Sequence, residues 1–448
     1  MAATASAASP LDDASRAHHV TTRQAAFIGV GAMVGAGIFS LLGAAGEVAG
    51  AAVWLSFALA GLIAALQGYS FAKLGARYPS AGGLLEYVNQ GFGEGHVATV
   101  TAWLTFAANA IVTAMVAVSF GSYASDAFAN RDPEWAKALA IGLVVVMTGL
   151  NVAGSTIVAK VQSLIVFVVV GILAIFAIVT IANIDPARLA PSTYPGARQI
   201  VSSVALTFFA FLGFGVVTFT AKDLRDPSRE LPRAMMIAIG LAAAVYVAVS
   251  LGVFGTLGVE QVIAAGPTVI AVAAQPVLGD VGYWLILVTA LFATAGATNA
   301  GLYPATGLSD HLAFTGQFPS VMGSRIDRAS VGLLVAAVAV VILIALFDLS
   351  AIASIGSVVA LTIFGLVTVG HLRIRGETGA RLSVLALGLA TTAVTLLTFV
   401  FTTLIEEPAS IATLLVILLI SVALDAGWSR QRQRQGSELA PTTSDPRL

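Results

Sequence analysis

The sequence contains no cysteine, so disulfide cross-links and thiolate metal sites are excluded. Charge is scarce too. Only 10% of the 448 residues are Asp, Glu, Lys or Arg, against about 25% in a soluble domain. Such a chain cannot cover a globular surface with polar groups. The net charge of −1 argues against a nucleic-acid partner. No His, Asp or Glu cluster has metal-ligand spacing, so neither a metal nor a cofactor is expected. The first twenty residues are polar or small and include Asp12 and Asp13. They lack the basic start and apolar core of a signal peptide.

Apolar sequence is abundant. Hydrophobic residues make up 58% of the chain, and the mean hydropathy is +0.94. Many apolar runs reach about 20 residues, the length that spans about 30 Å of hydrocarbon. The fold class is therefore an all-α integral membrane protein. Twelve spans are expected, at about 23–48, 52–76, 96–127, 137–154, 157–183, 199–220, 233–257, 277–312, 330–347, 350–371, 381–404 and 410–427. Residues 1–22 and 429–448 read as disordered ends.

The basic residues give an orientation. With both ends on one side and loops assigned alternately, the 22 Lys and Arg divide 18 to 4. The four on the sparse side are Arg131, Lys137, Arg188 and Arg198. The segregation puts both termini in the cytoplasm, at the cell membrane. It also supports the span count, because one missed helix would scramble it. The Arg-rich tail could touch anionic lipid, although ordinary positive-inside charge explains it as well.

Two spans have weak centres. The first carries Gly29-Val30-Gly31-Ala32-Met33-Val34-Gly35-Ala36-Gly37, and the sixth carries Phe208-Phe209-Ala210-Phe211-Leu212-Gly213-Phe214-Gly215. Each glycine costs roughly 1 kcal/mol of helix stability relative to alanine. Two readings fit one such segment. Glycine allows close helix packing, or it marks a helix broken at membrane depth around a cavity. Two segments at the heads of two five-helix sets favour broken helices and an inverted repeat, with a substrate site between them. The repeats would be 23–184 and 185–372, followed by two helices in 373–428. N–H groups freed at Gly35, Ala36 and Gly37 would suit a carboxylate at a half-helix N-terminus. Carbonyls near Met33 would suit an ammonium, and Phe209 or Phe211 could cap the ligand.

These segments resemble the amino acid–polyamine–organocation permeases. Gly31 to Phe39 is similar to their first-helix signature. Lys73-Leu74-Gly75-Ala76-Arg77-Tyr78-Pro79-Ser80-Ala81-Gly82-Gly83 is similar to their helix 2–3 loop. Phe209 to Phe214 is similar to helix 6, and Asp223 to Ala234 to the loop that follows it. Ala295-Gly296-Ala297-Thr298-Asn299-Ala300 and Gly316-Gln317-Phe318-Pro319 resemble helix 8 and its end. The matches cover about residues 23 to 320. The resemblance implies the leucine-transporter-type five-plus-five repeat and alternating access for amino acids or related amines. It implies that backbone at Gly35, Ala36 and Gly37 holds the substrate carboxylate. Carbonyls at Met33, Phe209 and Ala210 would hold the α-amine. Phe209 would be the occluding aromatic, and Gly213 and Phe214 would border the side-chain pocket.

The departures matter. Many members that handle cationic amino acids carry an acidic residue where this chain has Gly215. Proton-coupled permeases resemble the chain through Gly154-Ser155 and Lys160. They place a lysine at the position of Val169 and a serine at that of Gly296. The coupling amine is therefore missing, which favours exchange or uniport. Lys160 reads as a snorkelling residue at the start of its span.

Other polar residues have plainer readings. Glu47 fits a solvated helix end, with an outer-gate charge as the sharper alternative. Asp310 and His311 read as loop contacts with nearby arginines. Thr294 and Thr298 could supply oxygens for a cation, with bonding to their own helix as the plainer reading, and Asn299 bonds helix to helix. Asn109 could face substrate. Ion pairs are expected among Lys222, Asp223, Arg225, Asp226, Arg229 and Glu230. The function favoured is secondary transport of neutral amino acids, with the bilayer and a small-molecule substrate as partners and any coupling ion unknown. A polyamine carrier would need a midplane carboxylate. A membrane enzyme would need clustered carboxylates or histidines. A channel or scaffold would show no alternating exchange.

Overall fold

The computed structural model describes residues 20–35, 37–80, 83–93, 95–153, 157–314 and 316–402, with 411, 413–416, 419 and 421. Most of the described residues are helical, as apolar segments must be when no water satisfies their backbone. The first span forms two half-helices, α1 (Thr22–Val34) and α2 (Ile38–Ala49). Thr21 caps α1: its hydroxyl accepts from the Gln24 amide, and the Gln24 side chain reciprocates. Next come α3 (Val53–Arg77), the short α4 (Leu84–Phe92), α5 (His96–Phe128), α6 (Pro133–Ala153) and α7 (Ile157–Ala182).

The second half opens with α8 (Ala197–Phe209) and a 3-10 helix, Leu212–Asp223. It continues with α9 (Pro227–Thr256), α10 (Val259–Ala265) and α11 (Val269–Phe314), which is interrupted at Gly279 (φ 65°). A two-residue antiparallel ribbon, Arg325–Ile326 with Ala329–Ser330, leads to α12 (Val331–Leu346). Then follow α13 (Leu349–Arg373), the single turn α14 (Arg375–Thr378) and α15 (Leu382–Thr402). The twelfth expected span, 410–427, lies mostly outside the described residues.

Nine helical segments among the described residues are long and apolar enough to cross a membrane, and α12 is a shorter apolar helix. The chain is a multi-pass membrane protein. Several limits differ from the hydropathy reading for physical reasons. α9 starts at Pro227 rather than near 233, because Pro at the first helical position and a charged first turn extend the helix beyond the apolar stretch. Neither α4 nor α10 was expected. Both are short loop helices, which a search for 20-residue apolar runs does not see. The half-helix after the second break is 3-10 rather than α. Gly213, Gly215 and four β-branched residues weaken the α form there. Thr218 and Thr220 donate to carbonyls three residues back, at 2.6 and 2.7 Å.

Packing divides the helices into two groups. α1, α2, α3, α8, the 3-10 helix and α9 pack on one another, while α5, α6, α11 and α12 form a second group. α13 contacts both α5 and α8. A buried apolar core runs through both groups. A smaller cluster around Phe318 lies at the Gly316-Gln317-Phe318-Pro319 turn, where Trp103 stacks on Phe318 with ring centroids 3.8 Å apart.

Candidate functional site

The two weak centres are breaks, and the fold brings them into contact. In the first, α1 ends at Val34 and α2 begins at Ile38. Gly35 keeps helical dihedrals, and Gly37 has φ −83°, ψ −71°. Ala36 lies outside the described residues. The expectation of free N–H groups is not met at the two glycines. Gly35 donates to the Gly31 carbonyl at 3.2 Å, and Gly37 to the Met33 carbonyl at 2.7 Å. A tight local turn keeps these amides paired. In the second break, Ala210 donates to Thr207 at 3.1 Å and Phe211 to Phe208 at 2.9 Å.

Contact between the breaks is direct. A Cβ added at Gly37 would lie 2.7 Å from the Ala210 Cβ, 2.8 Å from its carbonyl oxygen and 2.5 Å from the Tyr246 hydroxyl. One added at Gly213 would lie 2.5 to 2.7 Å from backbone atoms of Ala32 and Met33. No side chain larger than hydrogen fits either place, so both glycines let backbone approach backbone. Tyr246, on α9, donates its hydroxyl to the Ala210 carbonyl at 3.1 Å. Its ring packs against Phe57 and Phe211, with centroids 5.4 and 5.0 Å away.

The aromatics have distinct seats. Phe209 is buried, and its ring lies against α13 at Gly356 and close to Ile111 of α5. Phe214 is fully buried among Phe71 of α3 (5.5 Å) and Phe364 of α13 (5.2 Å, stacked). Tyr87 and Phe208 extend this cluster. It ties the 3-10 helix to α3, α4, α8 and α13. Above the first break, the start of α2 has no side-chain cap, although Ile38, Phe39 and Ser40 are buried. The Ser40 hydroxyl has no hydrogen-bond partner, and neither has that of Ser354 on α13. A buried helix start without a cap is a ready site for an anion.

Val169 and Gly296, far apart in sequence, line one small cleft with Gly31, Val34, Gly35 and Ala293. Among the described residues no titratable side chain lines it. A Cβ at Gly296 would meet open space. The remaining polar residues serve packing. Thr294 and Thr298 donate to carbonyls of their own helix at 2.6 and 2.9 Å. Asn151 donates to the Asn299 amide oxygen at 2.8 Å, joining α6 to α11. Asn109, considered as a substrate contact, donates instead to the Gly301 carbonyl of α11 at 2.8 Å. Arg325 pairs with Asp310 at 3.8 Å, Arg229 with Asp226 at 3.7 Å, and Glu47 is exposed. His371 bridges the Ser70 and Thr378 hydroxyls at 2.7 and 2.8 Å. Gly154 and Ser155 lie outside the described residues, as does the side chain of Lys160. Among the described residues no three His, Asp or Glu converge as a metal site.

Tyr246, Ser40 and Ser354 did not stand out in the sequence. Tyr246 carried one signal, since a tyrosine buried in an apolar helix must find a partner for its hydroxyl. Single serines in apolar helices carry none.

The described residues thus form a largely helical membrane protein in which two interrupted helices touch at Gly37 and Ala210. The comparisons with known proteins supply its class. The chain belongs to the amino acid permease family, which it matches over residues 20–424. It is 31% identical over 408 residues to the inner membrane transport protein YbaT of Escherichia coli (strain K12), covering 90% of this chain and 95% of that one. It is 30% identical to an uncharacterized protein of Methanocaldococcus jannaschii, covering 80% and 83%. A vacuolar cationic amino acid transporter of Arabidopsis thaliana is 28% identical, covering 68% of this chain and 51% of that one.

Proposed function

We propose that the chain is a secondary carrier of neutral amino acids, working by alternating access in the cell membrane with both termini cytoplasmic. Exchange or uniport is favoured over proton coupling. The observation that carries this reading is the buried, uncapped start of α2 beside the contact between the breaks. The substrate carboxylate would take the N–H groups there, around Gly35, Ala36 and Gly37, once the break opens. The amine would take carbonyls of Met33, Phe209 and Ala210. Phe209, held against Gly356, would occlude the site, while Gly213 and Phe214 would border the side-chain pocket.

Gly215 leaves no carboxylate for a cationic side chain at that place, and desolvating such a chain without a partner costs several kcal/mol. Val169 and Gly296 leave the cleft beside Gly35 without an amine or a hydroxyl from either position, which argues against a coupling proton or cation there. The five-plus-five repeat, with two further helices in 373–428, belongs to the same reading. A cationic substrate is the second reading, because relatives in Arabidopsis thaliana are named as cationic amino acid transporters.

Counterflow of labelled amino acids into proteoliposomes without an ion gradient tests both. Trans-stimulated uptake of neutral amino acids is expected. Uptake of cationic amino acids alone would reverse the assignment, and no counterflow with any amino acid would sink the carrier reading.

A further inference from the structure

Tyr246 is fully buried, and its hydroxyl donates to a carbonyl that the proposed site assigns to the substrate amine. The same hydroxyl stands where a Cβ on Gly37 would lie 2.5 Å away, so it sits between the two breaks. The described amides of both breaks are paired within the chain as well: Gly35 to Gly31, Gly37 to Met33, Ala210 to Thr207 and Phe211 to Phe208. The closed arrangement therefore leaves these groups satisfied by the chain itself. That matters at membrane depth, where an unpaired carbonyl is costly.

We propose that Tyr246 stands in for the substrate amine at the Ala210 carbonyl, so that the carrier closes its breaks on each other without a bound amino acid and performs net transport rather than obligatory exchange. The inference rests on the amino-acid carrier reading above and goes further by choosing between its two modes. An obligatory exchanger is one whose empty form does not interconvert between its two faces. A stand-in donor removes the penalty that would block that step. The closed packing has no room for both groups, since a methyl at Gly37 would already lie 2.8 Å from the Ala210 oxygen. An incoming ammonium must displace the tyrosine hydroxyl, and the two compete. The plainer role of Tyr246 is a fixed staple between α9 and α8. That role predicts equal damage to every transport mode, whereas a stand-in affects the empty step selectively.

The test uses the full chain in proteoliposomes preloaded with labelled leucine, with alanine as a second probe. Efflux into buffer alone is compared with efflux into buffer containing the unlabelled amino acid. The wild type is expected to release label into buffer alone. In Tyr246→Phe, which keeps the ring, the ratio of net to exchange efflux should fall about two- to tenfold, the weight of one net hydrogen bond. Because the ratio compares two fluxes of one preparation, a loss of folded protein cancels. A wild type that releases label only when substrate is outside overturns the inference, whatever the variant does. So does an unchanged ratio in the variant. Absence of flux in both arms for both probes overturns the neutral-carrier reading itself, and this inference with it.

Discussion

Gly37 lies against Ala210, so that the break in the first membrane helix touches the break in the sixth, with the Tyr246 hydroxyl beside both. Two glycine tracts separated by more than 170 residues in sequence thus form one structural unit. The contact is backbone to backbone, which makes it sensitive to a single added carbon.

Gly37→Val should abolish saturable amino-acid binding. Its Cβ would meet the Ala210 carbonyl and the Tyr246 hydroxyl at 2.8 and 2.5 Å, closer than real contacts allow. Gly240→Ala is the matched control, because nothing lies within 4 Å of a Cβ there. That variant should bind normally and gain up to about 1 kcal/mol of helix propensity. Equilibrium binding on purified protein checks both. Wild-type affinity in Gly37→Val would remove the breaks from the site.

Val169→Lys should make uptake pH-dependent. Val169 is buried in the cleft beside Gly35 and Gly296. The variant places a titratable amine in a cleft whose described lining has none, so uptake should gain a dependence on pH between about pH 5 and 8 that the wild type lacks. Uptake measured across that range in parallel with the wild type is the check. Identical profiles would mean that the cleft does not communicate with transport.

Phe364→Ala should cost about 3–5 kcal/mol of stability. The ring is packed on Phe71 at 5.0 Å and stacked on Phe214 at 5.2 Å, so truncation opens a cavity at the junction of α3, α13 and the 3-10 helix. Thermal unfolding in detergent gives the number. A change below about 1 kcal/mol would show that neighbouring rings collapse into the space.

The Asn151–Asn299 pair should contribute modestly. Hydrogen bonds between membrane helices average about 0.6 kcal/mol and reach about 1.7. A double-mutant cycle with Asn151→Ala and Asn299→Ala should return a coupling in that range. Coupling above it would point to a larger polar network between α6 and α11.

Hydropathy alone located most of the membrane helices, and eight of the expected spans begin within a few residues of the helices observed. Length is a physical requirement of the bilayer, so it is written into every span. Thr294, Thr298 and Asn299 were also legible, because a polar side chain in an apolar helix has few partners within reach. Asn109 was less so: nothing local distinguishes an amide that meets the Gly301 carbonyl from one that meets a ligand. α4 and α10 escaped notice for the converse reason, being too short and too polar to leave a hydropathy signal.

The sequence by itself determined that this protein lives in a membrane, that its first and sixth helices are weak at their centres, and that position 215 carries no charge. Each follows from local composition, since apolar length, glycine cost and missing charge need no partner to be true. Tertiary structure alone decided that the two weak centres meet at Gly37 and Ala210, that the Gly35, Gly37, Ala210 and Phe211 amides are paired within the chain, and that Tyr246 reaches the Ala210 carbonyl. Val169 and Gly296 came together in the same way. Such contacts depend on how helices far apart in the chain are packed, and a tyrosine hydroxyl finds its acceptor only when α9 is laid against the end of α8.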